Sequence, residues 1–187
     1  MSTTRLDTNT ALVVIDLQIG IVALPTSHPV VPVIERTREL LDAFRERGLS
    51  VVLVNVDGSA PGRTQQQARL EALPADWADL VPGLNRQPDD HVVTKKTWGA
   101  FTATDLDAYL KAAGVTQIVL TGVATSIGVE STARQAHELG YNVTLAVDAM
   151  TDLNADAHTN SIERVFPRLG ETGSTQEILA LLDRRGA

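Results

Sequence analysis

Charged residues stand where apolar runs end, at Asp57 and Asp148 among others, and two of them could work together: Asp16 closes "ALVVID", and Lys95 closes "HVVTK" and is followed by Lys96. A carboxylate and an ammonium in one cleft shift each other's pKa and place a proton for transfer, which is the equipment of general acid catalysis. The same pair also reads as a structural ion pair, and an acid after a strand can serve as a cap or turn residue. A third apolar run, "QIVLTGV", leads into "ATSIGVESTARQA". A sharp strand-to-helix turn there would aim the backbone amides from Ala124 to Gly128 at one point, and the helix N-terminus would add partial positive charge, so the turn suits an anion or an oxyanion. Gly128 sits where a reactive side chain would be best placed, yet it carries none. Thr125 and Ser126, the polar residues of that turn, are candidates for substrate contact, although Ser126 would need a base to act as a nucleophile. Gln18 could reach the pocket of Asp16 or cap a turn. Trp98 and Phe101 flank the lysine in a chain with only 4% aromatics, so they either shape a substrate pocket or, for Phe101 in particular, pack in the core.

These residues need a scaffold, and the spacing of apolar runs supplies one. Short β-branched runs at 11–16, 50–56, 91–95, 117–123 and 142–148 alternate with longer segments of helical period, the pattern of βαβ units and a parallel sheet covered on both faces. "VPVIERTRELLDAFRERG" puts Val33, Ile34, Thr37, Leu40, Leu41 and Phe44 on one stripe and stops at Gly48. "TATDLDAYLKAAG", with Thr and Asp able to cap its first turn, and "SIGVESTARQAHELG" form two more crossover helices. "ADAHTNSIERVF" and "STQEILALLDRR" read as terminal helices, with a short edge strand near 170–172 between them. Residues 57–88 are rich in Gly, Pro and Gln and read either as a lid or subunit contact or as a plain surface connection with one helical turn near 65–71.

Composition narrows the function classes. At 187 residues and 43% hydrophobic the chain makes one domain, 1–187. A net charge of −7 argues against nucleic acid and against an anionic membrane. There is no cysteine, which excludes disulfides and thiolate chemistry. The four histidines, at 28, 91, 137 and 158, lack ligand spacing, so no metal site is expected, and His158 reads as a surface or packing residue. The polar start "MSTTRLDTNT" and the lack of a long apolar window point to a soluble, cytoplasmic protein.

Read together and in order, "ALVVIDLQIG", "VVTKKTWGAFTATDLDAYL" and "IVLTGVATSIGVESTARQAHELGYNVTLAVDAM" resemble the isochorismatase-like hydrolases, a superfamily that includes nicotinamidases and N-carbamoylsarcosine amidases. The resemblance implies a three-layer α/β/α, Rossmann-like fold with a mostly parallel sheet of five or six strands in the order 3-2-1-4-5. It places the family's catalytic Asp on Asp16, its Lys on Lys95 and its nucleophilic Cys on Gly128. It matches Val123-Ala124 to a cis peptide and the amides of Ala124 and Gly128 to an oxyanion hole. Amide hydrolysis through a thioester is impossible with glycine at 128. True isochorismatases resemble this chain in lacking the Cys, because a vinyl ether is hydrolysed by protonating carbon and adding water. Asp16 would then be the acid and Lys95 its electrostatic partner, with Gly128 leaving room for substrate or water and no cofactor required. Two other readings stay open: a catalytically inactive small-molecule-binding member, and a nicotinamidase-like amidase whose nucleophile Gly128 replaces. The metal-binding Asp-x-His of nicotinamidases has no counterpart in "VNVDGSA". Because family members commonly associate, the chain is expected to form a homodimer or larger homo-oligomer. Sedimentation at micromolar concentration should show that assembly, and a monomer would contradict it.

Overall fold

The structure, a computed structural model, describes residues 3–65 and 73–184. The helical turn expected near 65–71 falls almost wholly outside them. Six strands form one all-parallel sheet: β1 (Thr10–Ile15), β2 (Val51–Val56), β3 (His91–Lys95), β4 (Gln117–Val123), β5 (Asn142–Thr151) and β6 (Glu171–Gly173). Their order is β3-β2-β1-β4-β5-β6, which extends the expected order by the edge strand β6. The helices are α1 (Ile19–Val22), α2 (Val30–Glu46), α3 (Leu106–Ala112), α4 (Glu130–Glu138), α5 (Ala155–Asn160) and α6 (Thr175–Arg184).

Alternation along the buried strands sorts the core into two layers. On β1, Leu12 and Val14 face α2 and α6, where they pack with Leu40, Leu41, Phe44, Ile178 and Leu182. Ala11, Val13 and Ile15 face the other side, against Leu106 and Leu110 of α3 and Ala133 and Ala136 of α4. With both faces covered, nothing inside the sheet is open to a ligand. The polar ends of the strands are the places left for one.

β1 lies between β2 and β4, with Ile15 opposite Val54 on one side and Gly122 on the other. Gly122 has φ +121°, and a Cβ there would overlap the Ile15 carbonyl, so only glycine lets β4 approach β1 this closely. Two boundaries next to the strand ends differ from the sequence reading. β5 runs three residues past Asp148, because its pairing with β4 jumps from Leu120–Leu145 to Gly122–Met150. The bulge carries the strand to Thr151, and Asp148 caps α6 by accepting from Thr175 N at 2.7 Å. After β4 the chain does not enter α4 directly; Thr125–Val129 forms one π-helical turn first.

Residues 77–84 are lashed down rather than free to lift. Ile19 N donates to Asp79 O at 2.8 Å, Val81 N to Leu17 O at 3.1 Å and Asn55 Nδ2 to Ala78 O at 2.7 Å. Gln18, fully buried, is the clip: Nε2 donates to Val56 O at 3.0 Å and Trp77 O at 2.9 Å, while Oε1 accepts from Val56 N at 2.6 Å. Gln18→Met keeps the shape, loses three hydrogen bonds and strands the Val56 amide. It should lower stability in urea unfolding by about 3 kcal/mol, whereas a loss within error would show the clip to be idle.

Candidate active site

Asp16 follows the last residue of β1, and Lys95 is the last residue of β3, which lies two strands away. Strands stand about 4.8 Å apart, so the pair must close a gap of two strand spacings, a span suited to an extended lysine. Lys95 Nζ donates to Asp16 Oδ2 at 2.7 Å and to Thr97 O at 3.2 Å. The lysine side chain is 2% exposed and that of the aspartate 7%. Asp16 holds φ +51°, an uncommon left-handed backbone for a residue with a side chain, and its amide donates to Val54 O at 2.9 Å. The other carboxylate oxygen, Oδ1, is buried with no hydrogen-bond partner. Burial disfavours the charged carboxylate more than Lys95 favours it, and the pKa of Asp16 is pushed up to about 6. An acid able to carry a proton on one free oxygen, beside an ammonium that holds the other, is therefore present.

Gly128 lies against this carboxylate. A Cβ on it would stand 3.0 Å from Asp16 Oδ2 and 2.9 Å from Ile15 Cγ2. The space the absent side chain leaves is thus taken up by Asp16 and Ile15, where the sequence reading expected room for substrate or water. The Val123-Ala124 peptide is cis. The Ala124 carbonyl accepts from the amides of Ile127 and Val129, both at 3.1 Å.

Other candidates are placed differently. Ser126 N donates at 2.6 Å to Asp152 Oδ2, so the protein's own carboxylate already occupies this part of the turn. Asp152, 1% exposed, was invisible to the sequence reading, which ended β5 too early. Thr125 is fully buried; its Oγ1 donates to Thr151 O at 3.0 Å and stands 2.8 Å from His158 Nδ1. Its hydroxyl is thus engaged within the chain, between β5 and the segment of His158. His158 also meets His28, their ring centroids 4.8 Å apart, a pairing between distant segments that no local spacing announces. Gln18 has its side-chain amide committed to Val56 and Trp77, which removes it from the pocket. The Phe101 ring, half-buried, packs against the core on the α3 and α4 face, 5.9 Å from Tyr141. Trp98, 62% exposed, remains at the surface three residues from Lys95. Among the described residues, surface grooves of about 430 and 280 Å³ lie at the amino-terminal strand ends and share Arg5 and Asp7, away from the Asp16–Lys95 pair.

Residues 10–177 match the isochorismatase domain. The chain belongs to the isochorismatase family. It is 42% identical to the uncharacterized isochorismatase family protein YwoC of Bacillus subtilis, over 96% of this chain and 97% of that one. A solved isochorismatase family protein from Burkholderia thailandensis superposes with a TM-score of 0.92 at 42% identity, covering 96% of this chain and 98% of that one. A protein of Arabidopsis thaliana described as a probable inactive nicotinamidase is 31% identical over 82% of this chain and 86% of its own length. Membership brings the family's general character, hydrolysis of small molecules. Among the described residues no helix is long and apolar enough to cross a membrane.

The contact geometry at 128 yields a test. Gly128→Ala forces a methyl between Ile15 and Asp16 and should cost about 1–3 kcal/mol in urea unfolding, as overpacking does. An unchanged midpoint would mean that the carboxylate and Ile15 can give way freely.

Proposed function

We propose that this protein hydrolyses a small, anionic enol ether by general acid catalysis, with no covalent intermediate on the chain. The observation that supports this best is the buried, unpartnered Oδ1 of Asp16 beside the Lys95 ion pair. In this reading Asp16 carries a proton on Oδ1 and delivers it to the terminal carbon of the substrate's double bond. The carbon bearing the ether oxygen becomes an oxocarbenium ion, and the carboxylate left behind is held by Lys95 and faces that charge. Water adds to the cation and returns a proton to Asp16. The hemiketal then collapses to a carbonyl compound and an alcohol, so one water is consumed and nothing stays on the protein.

Gly128 is consistent with this route because no nucleophile is required. The amides of Ala124 and Gly128 bind the substrate's anionic group, and Trp98 borders the entrance. A second copy of the chain completes the surface around Trp98. The lost-nucleophile reading is weaker, since a side chain at 128 would press on Ile15 and Asp16.

A catalytically silent, ligand-binding member is the second reading, and the near-complete burial of Asp16 and Lys95 favours it. A turnover screen of isochorismate beside nicotinamide and small amides separates the two. Hydrolysis of the enol ether is expected, and Asp16→Asn should lower it by about 10²–10⁴-fold, the usual worth of a general acid. The acid must be protonated, so kcat/KM should be level below pH 6 and fall about tenfold per pH unit above it. Full activity in Asp16→Asn would overturn the mechanism, and binding without turnover of any of these compounds would favour the silent member.

A further inference from the structure

Thr132 is fully buried on α4, one helical turn after Gly128. Its hydroxyl donates to Gly128 O at 2.7 Å and accepts from Ala100 N at 3.1 Å. The first bond is an ordinary habit of threonine in helices, which often bond back to the carbonyl four residues earlier. The second is not local, because Ala100 lies 32 residues away and belongs to the segment that follows Lys95. One hydroxyl has one proton to give and lone pairs to receive, so Thr132 satisfies both partners at once. In a site closed to water, no solvent molecule can replace it.

Followed outward, these bonds close a ring around the proposed acid. Ala100 is three residues past Thr97, whose carbonyl accepts from Lys95 Nζ at 3.2 Å. Lys95 Nζ holds Asp16 Oδ2, and that oxygen abuts Gly128. Gly128 returns to Thr132 through its carbonyl. A second residue of α4 steadies the same segment: Gln135 Oε1 accepts from Phe101 N at 3.1 Å and Nε2 donates to Thr102 Oγ1 at 2.6 Å. Gly99 permits that grip, since a Cβ there would overlap the Gln135 amide. Of these contacts from α4 to the Lys95 segment, the Thr132 hydroxyl is the one that also touches Gly128.

We propose that Thr132 is a positioning residue, whose hydroxyl holds the Gly128 turn and the Lys95 segment in register so that the ammonium and carboxylate meet at a fixed distance. The proposal rests on Asp16 and Lys95 being the working pair, but its test needs no substrate. The readout is the titration of the Asp16 carboxyl carbon by 13C NMR, assigned with Asp16→Asn. Thr132→Val keeps the shape and removes both bonds; the lysine then loses its fixed approach, and the Asp16 midpoint should move above that of the unaltered protein. Thr132→Ser should restore it. Leu182→Ala, a core change on the opposite face of the sheet, should lower stability and leave the midpoint where it was. A folded Thr132→Val with an unaltered midpoint, or a shift of equal size in Leu182→Ala, would overturn the proposal. Should Thr132→Val not fold, amide exchange of the unaltered protein decides: the Ala100 amide is expected to be as protected as the interior amides of α4, and exchange at the rate of an exposed loop would overturn it. An ordinary aspartate midpoint in the unaltered protein would count against Asp16 as the acid, while the comparison among variants would still judge Thr132.

Discussion

The ion pair between Asp16 and Lys95 is the constraint to which the surrounding structure answers. A carboxylate with one oxygen bound and the other buried without a partner is costly to keep charged. Burial raises its pKa to about 6, against an ordinary value of 3.8, even with the Lys95 ammonium beside it. Because the folded value is the raised one, the favourable contribution is fully present below pH 3.8 and is lost as pH rises through 6. The fold carries this cost at neutral pH, and it carries it where three strands end together. Order β3-β2-β1 brings the lysine within reach of the acid, and the left-handed backbone at Asp16 turns the carboxylate inward.

Much of the neighbourhood serves to keep that geometry. Gly122 lets β4 come close to β1. Gln18 ties the end of β1 to the end of β2 and to the segment at Trp77, so Asp16 stands on a clamped strand end. On the other flank the π turn Thr125–Val129 is fastened by Thr125 to Thr151, by the Ser126 amide to Asp152 and by the Gly128 carbonyl to Thr132. Side chains that look available in a linear list are, in the folded chain, already spent on backbone groups. The polar inventory of the site therefore shrinks to the acid, its lysine and the amides of the turn.

This explains which parts were legible in the sequence. Strand positions and sheet order follow from the spacing of apolar runs and from motif resemblance, and the charged residues at strand ends stood out because an apolar run makes the next polar residue conspicuous. Gln18 could not be assigned, since nothing local tells whether an amide will face a ligand or a strand 38 residues away. The end of β5 was misplaced because the bulge lets a polar residue, Asp148, stand mid-strand, and with it went Asp152. Which way Thr125 and Phe101 point was not legible for a related reason: proximity in sequence to a site does not set the direction of a side chain. The contact between Gly128 and Asp16 depends on a tertiary approach that no periodicity encodes.

If Asp16 gives its proton to carbon, no group of the chain is ever acylated. Hydrolysis of isochorismate in deuterated water tests it most directly. One deuterium bound to the carbon beside the new carbonyl is expected, with no covalent adduct on the protein in quenched samples. A product free of carbon-bound deuterium, or an adduct on any residue during turnover, would contradict it.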